Sequence, residues 1–377
     1  MKDYKVIFTG GGTGGHVFPL VSVIRNLKVQ FEDESKLKMY YIAPKDEVPD
    51  FGFEEEGLSP KRILAGKLRR RFDPLALLLN LIDMIKVPIG VIQSIVHIMI
   101  ISPDLVFSKG GYGSVPVVLA ASILRIPIIL HESDAVPGLA NRIIFKFATE
   151  VFVSFQETEA IEPGKKFVVG NPIRKELLDG SYEKAKEMLN LQGGRPRLLI
   201  MGGSQGSERI NDTVLAVLNQ LLEDFEVIHQ CGKNNFKAIK AETDAFLPKE
   251  KKKFYHPHSF FDEKELSNAY AAANLVISRA GAGSIFEIAA LKKASILIPL
   301  PEAAQDHQKE NAYRVARKGA TIVIEEENLT PHFLLEKIKS LFFPPNRLRE
   351  MESNTDLFSK PEAGRILAAY IKEYLIS

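Results

Sequence analysis

Cysteine is nearly absent from this chain, because Cys231 is the single cysteine among 377 residues. One thiol cannot form an internal disulfide, nor can it supply a metal site built from several cysteines. A lone cysteine of this kind usually packs as a small apolar residue, and we expect Cys231 to be buried.

An excess of charge of one sign is also lacking. The 49 basic and 47 acidic residues leave a formal net charge of +2, so no overall basic field favours nucleic acid as a partner. A secretory signal is lacking as well, because glycines interrupt the first apolar run soon after Lys2 and Asp3. The absence of disulfides and of a signal together favours a cytosolic location.

No apolar run is clean enough to predict a membrane-spanning helix. The most apolar segment, 75–101, is interrupted by Asp83, Lys86, Pro88 and His97. It follows the basic run Lys67-Leu68-Arg69-Arg70-Arg71. An interrupted apolar helix beside a basic cluster is typical of a protein that lies on an anionic membrane surface. A buried helix pair with a solvated basic loop fits the same composition, and both interpretations stay open at this point.

Glycine is abundant at one place near the start. The run Gly10-Gly11-Gly12-Thr13-Gly14-Gly15-His16 follows an apolar strand and precedes an amphipathic segment. Such a turn lets the backbone approach a ligand, and helix N–H groups favour an anion. His16 adds an imidazole that could serve as a base. The run also contains the dinucleotide pattern Gly-x-Gly-x-x-Gly, but Asp46 comes too late for the acid that this pattern needs. A tight turn without a ligand is the third interpretation.

Apolar runs typical of strands alternate with helical patterns along the whole chain, which predicts a parallel α/β architecture. The predicted strands are Val6–Thr9, Met39–Ile42, Leu105–Ser108, Ile128–His131, Val151–Ser154, Leu198–Met201, Glu226–His229, Leu275–Ser278 and Ile296–Pro299. Breaks at 170–172 and at 191–196 divide the chain into halves.

The two halves resemble each other. Ten of 27 positions are identical when residues 104–130 are aligned without gaps to residues 274–300. The shared core is Leu-Val-x-Ser-(Lys/Arg)-x-Gly-x-Gly-Ser, and the run 200–206 opens the second half much as the first glycine run opens the first. We therefore predict two Rossmann-like domains that face each other across a cleft, with ligands beyond the carboxyl ends of the strands. Two such domains can hold two ligands, which suggests a transfer reaction.

Two positions differ between the copies in ways that matter for chemistry. Val117 in the first copy corresponds to Glu287 in the second, and an acid in a buried helix is costly without a partner. A carboxylate that accepts hydrogen bonds from two ribose hydroxyls would explain Glu287, and an acid stabilised by the helix macrodipole is the alternative. Tyr112 corresponds to Ala282, and it either touches a ligand or packs on its neighbours in the turn.

Six motifs in order along the chain resemble one family. They are GGTGGHVFP at 11–19, GGY at 110–112, HE followed by AVPGLAN within 131–141, GNPIR at 170–174, GGSQG at 202–206 and DHQ at 306–308. Together they resemble the MurG family, the bacterial N-acetylglucosaminyltransferases that make lipid II. The motifs begin beside the first strand and end beyond residue 300, so the resemblance covers nearly the whole chain.

The resemblance implies the GT-B glycosyltransferase fold. Residues 1–170 would bind the acceptor, lipid I, and associate with an anionic membrane surface; residues 171–355 would bind UDP-N-acetylglucosamine (UDP-GlcNAc); and residues 356–377 would form a helix that returns to the N-terminal domain. The implied reaction transfers N-acetylglucosamine, with inversion, to the C4 hydroxyl of the muramoyl sugar of lipid I, which gives lipid II for peptidoglycan synthesis. The implied location is the cytoplasmic face of the bacterial inner membrane, as a peripheral protein.

The resemblance also assigns roles to residues. On the donor side they are Glu287 for the ribose, Ser204, Gln205 and Gly206 for the diphosphate, Arg174 near the uracil or the phosphates, and His307 and Gln308 for the sugar hydroxyls. On the acceptor side they are Thr13, Gly14, Gly15, Tyr112 and Asp134. His16 is the predicted general base, and Glu132 is the alternative base or the group that positions it.

A metal-binding motif and one family motif are missing. No Asp-x-Asp pair occurs, the motif with which many transferases of the other common fold hold a metal on the diphosphate. We therefore expect no metal site and no required cofactor, with Mg²⁺ at most loosely bound to the substrate. The usual His-Glu-Gln-Asn of the family is His131-Glu132-Ser133-Asp134 here. A carboxylate at Asp134 would repel the acceptor diphosphate unless it points away or pairs with Lys109 or Arg142.

Two other functions fit parts of the sequence. A related GT-B transferase could act on another membrane lipid, such as a diacylglycerol, although the N-terminal motifs argue against it. A nucleotide-sugar-binding scaffold without turnover would explain Asp134, but the presence of His16, Glu132 and Glu287 argues for an enzyme.

Overall fold

The computed structural model describes residues 3–11, 14–44, 53, 55–67, 74–159, 161–162, 164–203, 206–301, 306–344 and 346–377. The chain divides into two compact units, one made of the residues up to 173 together with 362–377, and the other made of 174–361. These boundaries, after 173 and after 361, lie a few residues beyond the predicted ones after 170 and after 355.

The first unit is built on a parallel sheet. Up to residue 173 its elements are β1 (Tyr4–Thr9), α1 (Gly14–Gln30), β2 (Leu37–Pro44), β3 (Pro60–Ile63), α2 (Pro74–Ile101), β4 (Leu105–Ser108), α3 (Val115–Ile123), β5 (Ile128–Glu132), α4 (Leu139–Ile144), β6 (Glu150–Val153) and β7 (Lys166–Val168). The strands of its described part pair in parallel in the order β3-β2-β1-β4-β5-β6-β7. The order from β3 to β6 is that of a Rossmann fold, and β7 extends it.

Strand β1 shows why this sheet is buried on both faces. Val6 and Phe8 enter the apolar core on the side of α1, whereas Ile7 enters the core on the side of α2 and α3. A continuous apolar run is what a parallel strand covered on both faces requires. Thr9 pairs with Ser108, so the turns that follow β1 and β4 lie at the same edge of the sheet.

The second unit repeats the plan. Its elements are α5 (Tyr182–Leu189), β8 (Arg197–Met201), α6 (Glu208–Asp224), β9 (Glu226–Gln230), α7 (Phe236–Phe246), α8 (Lys249–Lys252), β10 (Tyr255–His258), α9 (Glu263–Ala272), β11 (Leu275–Arg279), α10 (Ala282–Ala290), β12 (Ser295–Ile298), α11 (His307–Ala316), β13 (Thr321–Val323), α12 (Pro331–Phe342) and α13 (Asn346–Asn354). The described strands pair in parallel in the order β10-β9-β8-β11-β12-β13. Since β11, α10 and β12 take the places of β4, α3 and β5, the sequence repeat is a structural repeat, and the prediction of two Rossmann-like α/β units is confirmed.

The last helix, α14 (Ala363–Ile376), belongs to the first unit. Leu367, Ile371 and Leu375 enter the same apolar core as α1. The Nζ of Lys372 donates a hydrogen bond to the carbonyl oxygen of Gln30 at 2.7 Å. The chain thus completes its first unit only after it has passed through the whole second unit.

The apolar segment forms one helix, α2, and the predicted alternative of a buried helix pair is wrong. Pro88 lies inside this helix. One face is held on the unit, because the N–H of Leu64 donates to Gln93 at 2.7 Å and a Cβ on Gly90 would lie 1.8 Å from the carbonyl oxygen of Leu64. The opposite face carries exposed apolar side chains, among them Leu81, Met84, Ile85, Ile92, Met99 and Ile100.

Length and composition would allow α2 to cross a membrane. Residues Leu78–Ile101 have a mean hydropathy of 1.9, and 22% of this stretch is buried in the protein. Two of the charged residues that interrupt the apolar segment, Asp83 and Lys86, form an ion pair at 2.8 Å, and Asp83 is buried. The helix therefore continues through them. The basic run beyond Lys67 lies outside the described residues.

Candidate active site

His16 lies in the first turn of α1, directly after the first glycine run. The turn is closed by a hydrogen bond from the N–H of Gly11 to the carbonyl oxygen of Gly110 at 3.0 Å. The Nδ1 of His16 lies 3.3 Å from the carbonyl oxygen of Lys109. Because a carbonyl oxygen can only accept, this contact assigns the proton of the neutral ring to Nδ1 and makes Nε2 the basic nitrogen.

The turn after β4 needs its two glycines. Gly110 and Gly111 have φ values of +80° and +83°, which favour glycine. A Cβ on Gly110 would lie 2.3 Å from Oδ1 of Asn141, and one on Gly111 would lie 3.6 Å from Nε2 of His16. Asn141 Oδ1 accepts the N–H of Gly111 at 2.9 Å, so α4 fixes the turn that borders the imidazole.

Glu132 is the last residue of β5 and is 2% exposed. Its Oε1 accepts a hydrogen bond from the backbone N–H of Asp134 at 2.9 Å, and its Oε2 accepts one from Nδ2 of Asn141 at 2.6 Å. Burial, followed by the negative charge of Asp134, raises the pKa of Glu132 to about 7. A carboxyl group with this pKa can exchange a proton near neutral pH, which suits a group that acts on or beside a general base.

Two groups of opposite charge, Asp134 and Lys109, act on Glu132. Asp134 is half-buried, and Lys109, which directly follows β4, is 1% exposed. Burial lowers the pKa of Lys109 to about 8, while the carboxylates of Glu132 and Asp134 oppose that shift. Arg142, the other predicted partner of Asp134, donates from Nε to the carbonyl oxygen of Pro137 at 3.2 Å.

Tyr112 begins a single 3₁₀ turn between Gly111 and α3. The tyrosine is half-buried, and Nζ of Lys67 lies 5.7 Å from the centre of its ring. This is within the range of a cation–π contact. Packing in the turn therefore accounts for part of this side chain, and a contact with the acceptor stays a prediction.

The glycine turn before α6 is equally tight. Gly206 has a φ of +83°, and a Cβ there would lie 2.3 Å from the carbonyl oxygen of Cys231. Cys231 is fully buried, which confirms the prediction for it. Ser207 caps α6, and its Oγ accepts a hydrogen bond from Nη2 of Arg279 at 2.6 Å. Glu326 pairs with the same guanidinium group. The N-terminus of α6 and the guanidinium group of Arg279 together favour the binding of an anion.

Glu287 meets Arg174 inside the second unit. The Nη2 of Arg174 lies 3.0 Å from Oε1 of Glu287, and Nε lies 3.7 Å from Glu263. Glu287 stands in the middle of α10 rather than in its first turn, so the macrodipole does not explain it. Arg174 and the hydroxyl of Tyr270 are the partners that make this buried acid tolerable.

His307 and Gln308 begin α11, beyond the carboxyl end of β12. Both are half-buried. The Oε1 of Gln308 accepts the N–H of Leu300 at 3.0 Å, which fixes the orientation of its amide group. Over the part of the chain that the structure describes, no three His, Cys, Asp or Glu residues form a group that could hold a metal ion.

The structure gathers the predicted acceptor-side residues at the carboxyl ends of β1, β4 and β5. Those described there are Gly14, Gly15, His16, Tyr112, Glu132 and Asp134. Among the predicted donor-side residues, Arg174 and Glu287 are in contact, while Gly206, His307 and Gln308 lie next to helix N-termini. Thr13, Ser204 and Gln205 lie outside the described residues.

The prediction did not include Asn141 and Arg279 of these clusters, and it included Lys109 only as a possible partner of Asp134. A sequence signal for each was present. Lys109 and Arg279 hold the one position of the repeat at which both copies carry a cation, and Asn141 closes the AVPGLAN motif.

Two family profiles match this chain. The glycosyltransferase family 28 N-terminal domain matches residues 6–153, and the glycosyltransferase family 28 C-terminal domain matches residues 197–365. These ranges contain the Rossmann-type strands of the first and second units, respectively.

Relatives are similar along nearly their whole length. The UDP-N-acetylglucosamine–N-acetylmuramyl-(pentapeptide) pyrophosphoryl-undecaprenol N-acetylglucosamine transferase of Clostridium kluyveri is 41% identical over 339 residues, which are 89% of this chain and 91% of that protein. The protein of the same name from Clostridium perfringens is 40% identical over 343 residues, 90% of this chain and 91% of that protein.

Solved structures agree with this relationship. The crystal structure of Acinetobacter baumannii MurG superposes with a TM-score of 0.73 at 26% identity and covers 98% of this chain and 99% of that chain. The UDP-GlcNAc 2-epimerase of Neisseria meningitidis, with a TM-score of 0.66, 16% identity and 99% of both chains covered, shares the fold. The chain therefore belongs to glycosyltransferase family 28, in the MurG branch of UDP-GlcNAc-dependent N-acetylglucosaminyltransferases.

Proposed function

We propose that this enzyme transfers N-acetylglucosamine from UDP-GlcNAc to the C4 hydroxyl of the muramoyl sugar of lipid I, with inversion, and so makes lipid II for peptidoglycan synthesis. The observation that carries the proposal is the similarity, over 89% of the chain, to transferases named for this donor and this lipid-linked acceptor. The cluster of His16, Glu132 and Asn141 supplies the acid–base chemistry that such a transfer needs.

On the acceptor side, Nε2 of His16 takes the proton of the C4 hydroxyl. The hydroxyl oxygen then forms a bond to C1 of the donor sugar, and the bond between C1 and the phosphate oxygen breaks, with its electron pair leaving on UDP. The contact with the carbonyl of Lys109 supports this assignment, because it selects the tautomer in which Nε2 is basic. Glu132 positions the turn beside the imidazole through Asn141, or takes the proton itself.

On the donor side, the carboxylate of Glu287 accepts hydrogen bonds from the ribose hydroxyls, with Arg174 fixing its orientation. The diphosphate lies at the N-terminus of α6, a helix of 17 residues that follows the Ser204-Gln205-Gly206 motif in the sequence. The free N–H groups at this end of α6 stabilise the negative charge that develops on UDP as it leaves. The side chains of His307 and Gln308 contact the sugar hydroxyls.

The leaving group needs no resident metal in this proposal. The absence of an Asp-x-Asp pair from the sequence supports this view. A Mg²⁺ ion bound loosely to the diphosphate is compatible with the same chemistry.

We place the enzyme as a peripheral protein on the cytoplasmic face of the inner membrane, held by the exposed apolar face of α2. Ile85 and Ile92 on that face are 64% and 62% exposed, and apolar side chains of this kind gain free energy on entering the acyl boundary. The hydrogen bond from Leu64 to Gln93 holds the helix on its unit, which favours a helix lying on the surface over one that spans the bilayer. The polyprenyl tail of the acceptor would remain in that bilayer.

The decisive experiment is a transfer assay with radiolabelled UDP-GlcNAc and a lipid I analogue in detergent. We expect label in the lipid product and release of UDP. His16→Ala should lower the transfer rate by about 10²- to 10⁴-fold, the usual contribution of a general base, while calorimetry shows unchanged affinity for UDP-GlcNAc. His332→Ala, which removes an exposed histidine of the second unit, is the matched control and should retain the wild-type rate.

Two results would contradict the proposal. Transfer at a near wild-type rate by the His16→Ala variant would remove His16 as the base. Intact UDP-GlcNAc binding without any labelled lipid, in the wild-type enzyme, would indicate a different acceptor, and Asp134→Asn would then be the first variant to test.

A further inference from the structure

A buried lysine lies beneath the acceptor-side cluster. Lys109 follows β4 directly, and Glu132 ends the neighbouring strand β5, so both side chains start from the same edge of the sheet. Lys109 is 1% exposed and Glu132 is 2% exposed. A buried ammonium group is costly unless other groups compensate its charge, so the residues around Lys109 need an explanation.

The ammonium group of Lys109 has a hydrogen-bond acceptor in the motif in which this chain departs from its family. Nζ donates to Oγ of Ser133, and Ser133 in turn donates to Oδ1 of Asn171 at 3.0 Å. The glutamine that the family usually has in place of Ser133 would project into the volume that the ammonium group fills. A short hydroxyl at position 133 and a lysine at position 109 therefore suit each other.

The second departure, Asp134, supplies the balancing charge. Glu132 is the group on which both neighbours act: the positive charge of Lys109 lowers the pKa of Glu132, and the negative charge of Asp134 raises it. Both carboxylates favour the charged form of Lys109 in turn. The three groups thus form one cluster in which the lysine and the aspartate oppose each other.

We propose that Lys109 is a positioning residue for the transfer, and that its positive charge favours the ionised, doubly hydrogen-bonded state of Glu132 while the opposite charge of Asp134 counters it. The ionised carboxylate accepts from Asp134 N–H and from Asn141 Nδ2 at the same time. Protonation of Glu132 weakens one of these bonds. The effect reaches His16 because Asn141 holds Gly111, whose backbone borders the imidazole.

The other charged or titratable groups near Glu132 are few among the described residues. His131, on the same strand, is buried, and burial together with Lys109 lowers its pKa well below the usual value, so it is neutral. His16 approaches from α1, and Arg142 stands on α4 with its Nε bonded to the carbonyl oxygen of Pro137. Lys109 and Asp134 are therefore the pair whose charges can be removed to test the cluster.

The proposal rests on the transfer reaction proposed above, and its test is the pH dependence of kcat/KM for that reaction. Lys109→Met removes the positive charge at similar length, which should move the acid limb to higher pH by about one unit and lower kcat/KM about tenfold at acidic pH. Asp134→Asn should move the limb in the opposite direction. The double variant should return it close to the wild-type position. Lys184→Met, on an exposed surface of α5, is the control and should leave the profile unchanged.

The sign of the two shifts decides the question. A merely structural role for Lys109 would lower the rate at every pH without moving the limb, and shifts in the same direction for both variants would equally overturn the proposal. If Lys109→Met does not fold, as judged by thermal unfolding and UDP-GlcNAc affinity, Asp134→Asn still tests the sign on its own, because an unmoved or raised limb refutes the pair. Absence of transfer in the wild-type enzyme would instead refute the proposed function.

Discussion

Glu287 shows how much a single side chain can depend on a distant partner. Its counterpart in the first unit, Val117, is fully buried at 0% exposure, whereas Glu287 keeps 8% exposure and an ion pair with Arg174. Comparison of the two repeats was enough to single out position 287. The partner could not be predicted from spacing, because it lies 113 residues away in the chain. The same holds for Glu132, whose role was predicted without its link through Asn141.

We expect Glu287→Gln to weaken UDP-GlcNAc binding by about 10- to 150-fold. A hydrogen bond to a charged group contributes about 1.5–3 kcal/mol, which corresponds to this range, and the neutral amide also leaves Arg174 without its close ion pair. Isothermal calorimetry measures the change, and a thermal unfolding curve checks that the second unit is folded. Glu183→Gln, on the exposed surface of α5, should bind like the wild type. Unchanged affinity in Glu287→Gln would remove the ribose assignment.

At the scale of the elements, the sequence predicted the middle of each sheet and missed its edges. The four strands without a predicted counterpart are β3, β7, β10 and β13, and they are the outermost strands of the two sheets. Central strands are covered on both faces and appear as continuous apolar runs. Edge strands are short and more exposed, as in the sequences PKRI and YHPH of β3 and β10, so their pattern resembles that of a loop.

Helix α2 exposes a face of apolar side chains, including Ile85 and Ile92, that no packing within the described part of the first unit explains. We expect the combined change Ile85→Lys and Ile92→Lys to reduce binding to anionic phospholipid vesicles at least tenfold, since each buried isoleucine contributes about 1.5–3 kcal/mol. Both side chains are exposed in the protein alone, so UDP-GlcNAc affinity should not change. Vesicle sedimentation measures the bound fraction.

Val29→Lys is the control for this experiment, because Val29 is an apolar side chain of the same unit with 84% exposure on α1. It should bind vesicles like the wild type. Equal loss in both variants, or no loss in either, would contradict the proposal that α2 binds the membrane.

At the scale of the whole molecule, the first unit is discontinuous in sequence. Its core joins residues of α1 with Leu367, Ile371 and Leu375 of α14, although the whole second unit lies between them in the chain. The sequence predicted this return only through the resemblance to a family, because α14 carries no local signal that names its partner. The packing of α14 on α1 depends on the shapes of the two helix surfaces and on which side chains they bury. The sequence pattern of α14 alone shows neither.

We expect Ile371→Ala to destabilise the first unit selectively, by about 2–5 kcal/mol for a large-to-small change in a core. Ile371 is fully buried against α1. Hydrogen–deuterium exchange should accelerate in β1 and α1 and stay unchanged in β8 and α6. Ile376→Ala, on the same helix at 54% exposure, serves as the control. Faster exchange spread evenly over both units would show that they unfold as one.

The late position of α14 sets an order for folding during synthesis. Residues 174–361 are contiguous, so the second unit has all of its strands as soon as that stretch has left the ribosome. The first unit, although translated earlier, must wait with the apolar side of α1 uncovered until residues 363–376 emerge. Domains usually fold in the order in which they are translated, and this chain reverses that order. During that interval the apolar surface of α1 that α14 later covers stays open to other apolar partners, such as chaperones.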